Sequence, residues 1–122
     1  MRMAPAISRL LRCLAATVLI FALARPVAAE ELRVSNVAER VGEQQWRWTV
    51  FVTAPAPILA QIDCVQYTLH PTFPAPIQQV CRTEDGRYPF GLTATGWGVF
   101  TLRVLVRFKN GTTQELTHLL RF

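Results

Sequence analysis

Tyr67-Thr68-Leu69-His70-Pro71-Thr72-Phe73 decides the fold, and Gly96-Trp97-Gly98-Val99-Phe100 repeats its theme. Each joins an alternating apolar run to a loop rich in aromatic, Gly and Pro residues. Val65, Tyr67 and Leu69 alternate as one face of a strand expected over Leu59 to Leu69. Ile62 is out of step with them, which predicts a bulge or strand start between Ile62 and Val65. Pro71, Pro74 and Pro76 then forbid regular pairing. An aromatic ring in such a loop either folds back on the core or is kept for a ligand.

Working outward, Gln45 to Thr53 alternates cleanly: Trp46, Trp48, Val50 and Val52 share one face. Leu32 to Ala38 reads as a shorter strand before it, with Gly42 as a turn. Ala54-Pro55-Ala56-Pro57 breaks the pattern as a loop or edge. Short extended pieces are expected at Ile77 to Arg82 and Tyr88 to Leu92, on either side of the turn at Glu84-Asp85-Gly86. Val99 to Lys109 is the longest clean strand, and Gln114 to Phe122 returns after Asn110-Gly111. A two-residue loop would set Val106 against Glu115. A three-residue loop, Lys109-Asn110-Gly111, pairs Val104 with Leu116 and Phe100 with Leu120, so the three-residue loop is expected. No long segment after residue 29 has a helical period. Seven to eight short strands with regular turns predict one all-β sandwich.

The N-terminus has the three-part layout of a signal peptide over residues 1–29. Arg2, Arg9 and Arg12 precede the apolar run Cys13 to Ala24, and Val27-Ala28-Ala29 offers a cleavage site. The expected domain is residues 30–122, periplasmic or secreted. An uncleaved anchor is the alternative, and only then would the domain be membrane-associated. Four arginines leave with the leader, so nine Lys and Arg face eight acids and the net charge of +5 falls to +1. The basicity is thus a targeting feature and gives no reason to expect a nucleic-acid partner.

Two cysteines remain after the leader, Cys64 and Cys81. An even count in an exported chain favours a disulfide; two buried thiols are the alternative. Only His70 and His118 supply imidazoles and no Cys-x-x-Cys pair is present, so no metal site or cofactor is expected. No Ser or Cys nucleophile sits in a motif with a base, so the chain does not read as an enzyme. His118, among leucines, reads as a sheet residue.

The run Leu69-His70-Pro71-Thr72-Phe73, with Trp48-Thr49-Val50-Phe51-Val52, Pro76, Pro89-Phe90, Gly96-Trp97-Gly98-Val99-Phe100 and Asn110-Gly111, resembles the prokaryotic branch of the YEATS domain family. The resemblance implies an immunoglobulin-like sandwich that slides a flat acyl amide between two aromatic rings. It implies Phe73 and Trp97 as those rings and Thr72 as the hydroxyl partner of the acyl amide. His70 would orient that hydroxyl, and Phe100 would form the pocket wall. Gly96 and Gly98 would let the Trp97 loop come close, with the Trp97 backbone N–H binding the acyl oxygen. The partner it implies is a protein or peptide, acylated in the case of the eukaryotic readers. The chain departs from those readers in having no aromatic around Gln44 and Gln45 except Trp46, and Gly98-Val99 where they usually carry Ala-Gly.

Two functions follow: a binding module acting through Phe73 and Trp97, or a structural or protein-interaction domain of the cell envelope with no small ligand. Exposed rings with a gap between them favour the first; rings in mutual contact favour the second.

Overall fold

The computed structural model describes residues 31–122; the expected leader and its cleavage site lie outside the described residues. The elements are β1 (Arg33–Gly42), β2 (Gln45–Thr53), α1 (Ala56–Leu59), β3 (Ile62–Thr68), β4 (Ile77–Val80), β5 (Leu92–Gly96), β6 (Thr101–Phe108) and β7 (Thr113–Leu119). They form the expected sandwich of two sheets, ordered β1-β2-β5 and β4-β3-β6-β7. Every pairing is antiparallel.

Alternation explains the core. Trp48, Val50 and Val52 of β2 face Val65 and Tyr67 of β3 and Leu102, Val104 and Val106 of β6, all fully buried. One face of each strand thereby leaves water, the main favourable term in forming the sandwich. Tyr67 is the polar exception. Its hydroxyl donates to the Phe90 carbonyl at 2.6 Å, which satisfies the buried O–H. Burial pushes the phenol well above its ordinary pKa.

The β6–β7 hairpin has the predicted three-residue loop. Val104 lies opposite Leu116, and Val106 opposite Gln114 rather than Glu115. Gly111 takes φ +88°, a left-handed conformation that favours glycine. Phe108 N–H donates to the Thr112 carbonyl and Gly111 N–H to that of Phe108, both at 2.9 Å. Leu120 N–H donates to Phe100 O at 3.1 Å, extending the register as expected. The bulge in β3 falls between Ile62 and Cys64.

Four expectations need correction. β1 runs ten residues, Arg33–Gly42, past its expected end at Ala38, and is longer than both β2 and β6. β3 begins at Ile62, because residues from Ala56 to Leu59 form one turn of helix. Proline fits this first turn, where its missing N–H has no helical partner to lose, and Ile58 is buried beneath. Tyr88 to Leu92 is not a strand; β5 starts where that segment was expected to end. Phe90 adopts φ +52° and turns its ring into the core. Its N–H is held by Thr83 Oγ1 at 3.1 Å and its carbonyl by Tyr67. Tyr88 instead packs on Phe51, outside the three-stranded sheet. Trp46 is only half-buried and stacks on Phe122 at 5.1 Å, so it caps the core rather than joining it.

Cys64 and Cys81 are joined by a disulfide with Cα atoms 4.1 Å apart, one step beyond the Val65–Val80 pair of β3 and β4. A cross-link closing a loop of this size stabilises by roughly 3 kcal/mol on the chain-entropy view. It secures a four-residue edge strand. The opposite side of the sandwich is joined by Asn36 of β1. Its Oδ1 accepts from His118 Nε2 at 2.7 Å and from Arg121 N–H at 3.0 Å, while its Nδ2 donates to Arg121 O at 2.8 Å.

His118 is the half-buried sheet residue expected. Burial, then the nearby Arg121 charge, holds its pKa below the ordinary imidazole value. The unfolded chain therefore takes up this proton first as pH falls. The stability linked to neutral His118 is full above about pH 6.5 and is lost as pH drops below that value. The urea midpoint is expected to fall between about pH 7.5 and about pH 5, and His118→Gln is expected to flatten part of that fall. Identical pH profiles for the two proteins would rule out His118 as a contributor.

Candidate functional site

The cleft sits at one end of the sandwich, where β3 runs into residues 69–76 and β5 runs toward β6. Leu69 is buried and anchors the first loop. Its N–H donates to Pro76 O at 2.7 Å, which closes the loop at its base. Inside it, Phe73 N–H donates to His70 O at 3.0 Å. Pro71 stands second in this four-residue turn, where its fixed φ is already suitable. The turn brings Thr72 back onto His70. Thr72 N–H approaches His70 Nδ1 at 3.3 Å, and the Thr72 hydroxyl lies 2.8 Å from the same nitrogen. A backbone N–H can only donate, so Nδ1 is the acceptor in this arrangement. The hydroxyl proton can share that acceptor, leaving Thr72 oxygen lone pairs free for a ligand donor.

The ring wall is built from both loops and the core. Phe73 and Phe100 lie 5.7 Å apart, and each packs edge-on against Trp48, at 6.2 and 5.9 Å. His70 stands 5.9 Å from Phe100. Phe100 is therefore both core-packed and cleft-lining, which joins the two roles its strand parity and its motif suggested. Trp97 is 79% exposed. Among the described residues no ring stacks on it, although it borders the same cleft as Phe73.

The cleft holds about 310 Å³ and gathers all seven sequence-predicted residues: His70, Thr72, Phe73, Gly96, Trp97, Gly98 and Phe100. Pro74, Thr95 and Val99 complete its lining; no spacing argument singled them out. The two glycines differ. A Cβ on Gly96 would sit 3.6 Å from Phe73 Cζ and 3.8 Å from Trp48 Nε1, so this residue does bring its loop close to the rings. A Cβ on Gly98 would meet nothing within 4 Å, so close approach is no reason for that glycine. The lining holds no Asp, Glu, Lys or Arg. Among the described residues no cluster of three metal-ligating side chains occurs.

A two-sheet sandwich that carries on its end loops an aromatic cleft without Asp, Glu, Lys or Arg is the frame of a binding module. This chain belongs to the prokaryotic YEATS domain family, whose model matches residues 46–121. It is similar to the AF-9 homologs of Eremothecium gossypii, 32% identical over 77% of this chain and 46% of that protein, and of Saccharomyces cerevisiae, 31% identical over 87% and 44%. The chain thus spans less than half the length of these curated relatives. Among solved structures, the Yaf9 YEATS domain recognising a succinylated histone H3 peptide superposes with a TM-score of 0.61 at 30% identity, covering 75% of this chain and 73% of that one. The same domain bound to an acetylated histone H3 peptide gives 0.60 at 30% identity, with 75% and 72% covered. The sandwich is accordingly immunoglobulin-like, as the resemblance implied.

The two rings differ in what they support. Trp97→Ala is expected to change unfolding free energy by less than about 0.5 kcal/mol, as for other exposed positions. Phe73→Ala, which removes contacts to Trp48 and Phe100, is expected to cost about 2 kcal/mol. Urea denaturation of both variants checks this; equal losses would mean that Trp97 also braces the fold.

Proposed function

We propose that this domain is an exported module that binds an acylated side chain, acyl-lysine in a protein or peptide being the best fit, between Phe73 and Trp97. The observation that carries it is the placement of Trp97. A large ring stands exposed beside a cleft that Phe73 also lines, together with the Thr72 hydroxyl and its His70 partner. Exposing an indole to water forgoes its burial, which a flat ligand restores. A planar amide stacks well between aromatic faces, and its N–H needs an acceptor, which Thr72 Oγ1 supplies. His70 positions that hydroxyl. The Trp97 backbone N–H is the donor assigned to the acyl oxygen. The peptides recognised by the Yaf9 domain support the same ligand class.

Export follows from the leader-like residues 1–29 and agrees with the disulfide, since such bridges persist in oxidising compartments. The partner is then an envelope or secreted protein. The His70–Thr72 pair is assigned to positioning a ligand, and the module performs no chemistry on it.

Calorimetric titration of residues 30–122 with acetyl-lysine, crotonyl-lysine and unmodified peptides tests the reading. Saturable binding is expected for the acylated peptides alone, weakened about tenfold or more by Trp97→Ala. Equal binding of the unmodified peptide, or none by any peptide, would favour an interaction domain without an acyl pocket.

A further inference from the structure

Among the described residues one buried side-chain polar atom has no hydrogen-bond partner, the indole nitrogen of Trp48. Trp48 is 1% exposed and sits in the core. An unsatisfied buried N–H is costly, and native proteins leave few of them without a reason. The reason here is positional. The two rings packed edge-on against Trp48, Phe73 and Phe100, are themselves walls of the cleft. Aromatic faces offer an N–H only a weak partner.

Gly96 lines the cleft and adjoins the indole. A Cβ at this position would be in ordinary contact, 3.8 Å from Trp48 Nε1 and 3.6 Å from the outermost carbon of Phe73. The donor therefore adjoins Gly96 and Phe73, two residues of the cleft lining, without lining the cleft itself. Trp48 Nε1 is sealed as the structure stands, so a ligand oxygen reaches it only if the Phe73 ring edge moves aside. No Lys or Arg lines the cleft. A carboxylate reaching this depth would lose its hydration without gaining a counter-charge, whereas a neutral oxygen needs only the donor.

We propose that Trp48 Nε1–H is a specificity donor that hydrogen-bonds a neutral oxygen, hydroxyl or ketone, on the outer carbons of the acyl group. The module then prefers hydroxyacyl amides to plain acyl amides of the same carbon length. This rests on the acyl-binding reading above and adds to it both a residue and a ligand class.

The test compares peptides bearing 3-hydroxybutyryl-lysine, butyryl-lysine and succinyl-lysine. The hydroxybutyryl peptide is expected to bind the wild-type domain about five- to tenfold more tightly than the butyryl peptide, the gain of one ordinary hydrogen bond. The succinyl peptide is expected to bind more weakly than the hydroxybutyryl peptide. The Trp48 indole N–H resonance is expected to move downfield with the hydroxybutyryl peptide and to stay in place with the butyryl one. Gly96→Ala adds a methyl at ordinary contact distances and is expected to bring the hydroxybutyryl-to-butyryl ratio near one. This avoids substituting the core tryptophan itself. Equal affinities with an unmoved indole resonance overturn the proposal and leave the acyl reading intact. A preference that survives Gly96→Ala with the resonance unmoved places the oxygen elsewhere and also overturns it. A succinyl peptide that binds as tightly as the hydroxybutyryl peptide overturns the choice of a neutral oxygen. Binding by none of the three overturns both readings together.

Discussion

The packing of Phe73 and Phe100 against Trp48 is the contact on which the rest of the arrangement depends. Trp48 belongs to the three-stranded sheet and is buried by the four-stranded one. Phe73 and Phe100 belong to the two loops at the end of the sandwich. One indole thereby transmits the geometry of the core to the cleft. The core fixes Trp48 because Val50 and Val52 on the same strand face share its burial. The loops are then positioned by edge-on ring contacts, which have preferred distances and angles and are not merely greasy.

The loops also have their own constraints. The first is pinned at its base by Leu69 and Pro76 and folded inward by its turn from His70 to Phe73. Its neighbour β4 is short and lies at a sheet edge, where the disulfide to β3 compensates for the few ladder bonds it can make. The second loop passes close to the rings at Gly96, where even a Cβ would be in ordinary contact with Phe73 and Trp48. Against this fixed background Trp97 is the exposed part. Packed ring walls beside one exposed ring suit a site that must admit a flat group and then stack on it, because part of the wall is already ordered before binding.

Much of the fold was legible because a strand's period of two is unforgiving. The hairpin register followed from refusing to set Glu115 against Val106, and the β3 bulge from Ile62 lying out of step. β2 was read to its observed ends. The misreadings share a cause. Residues from Ala56 to Leu59 are too few to show a helical period, so proline there read only as a strand break. Phe90 looked like part of an extended segment, yet its left-handed backbone is imposed by tertiary bonds to Thr83 and Tyr67 that no local pattern reveals. Trp46 shares strand parity with Trp48, but it sits at the strand's end, where Phe122 covers it. The site was legible as a motif, and its seven residues do line one cleft. The distinction between Gly96 and Gly98 was not, since both looked like loop glycines. Nor was the unpaired nitrogen of Trp48, because parity alone assigns a buried tryptophan to packing.

The central claim is that an acyl group lies between the faces of Phe73 and Trp97. The most direct measurement is the proton spectrum of an isotope-labelled crotonyl-lysine peptide bound to the domain. A group sandwiched between two aromatic faces experiences both ring currents. Its methyl and vinyl protons should move strongly upfield, with intermolecular contacts to Phe73 and Trp97, and the shift should shrink in Trp97→Ala. Bound acyl protons at their free positions, or contacts confined to other surfaces, would contradict the account.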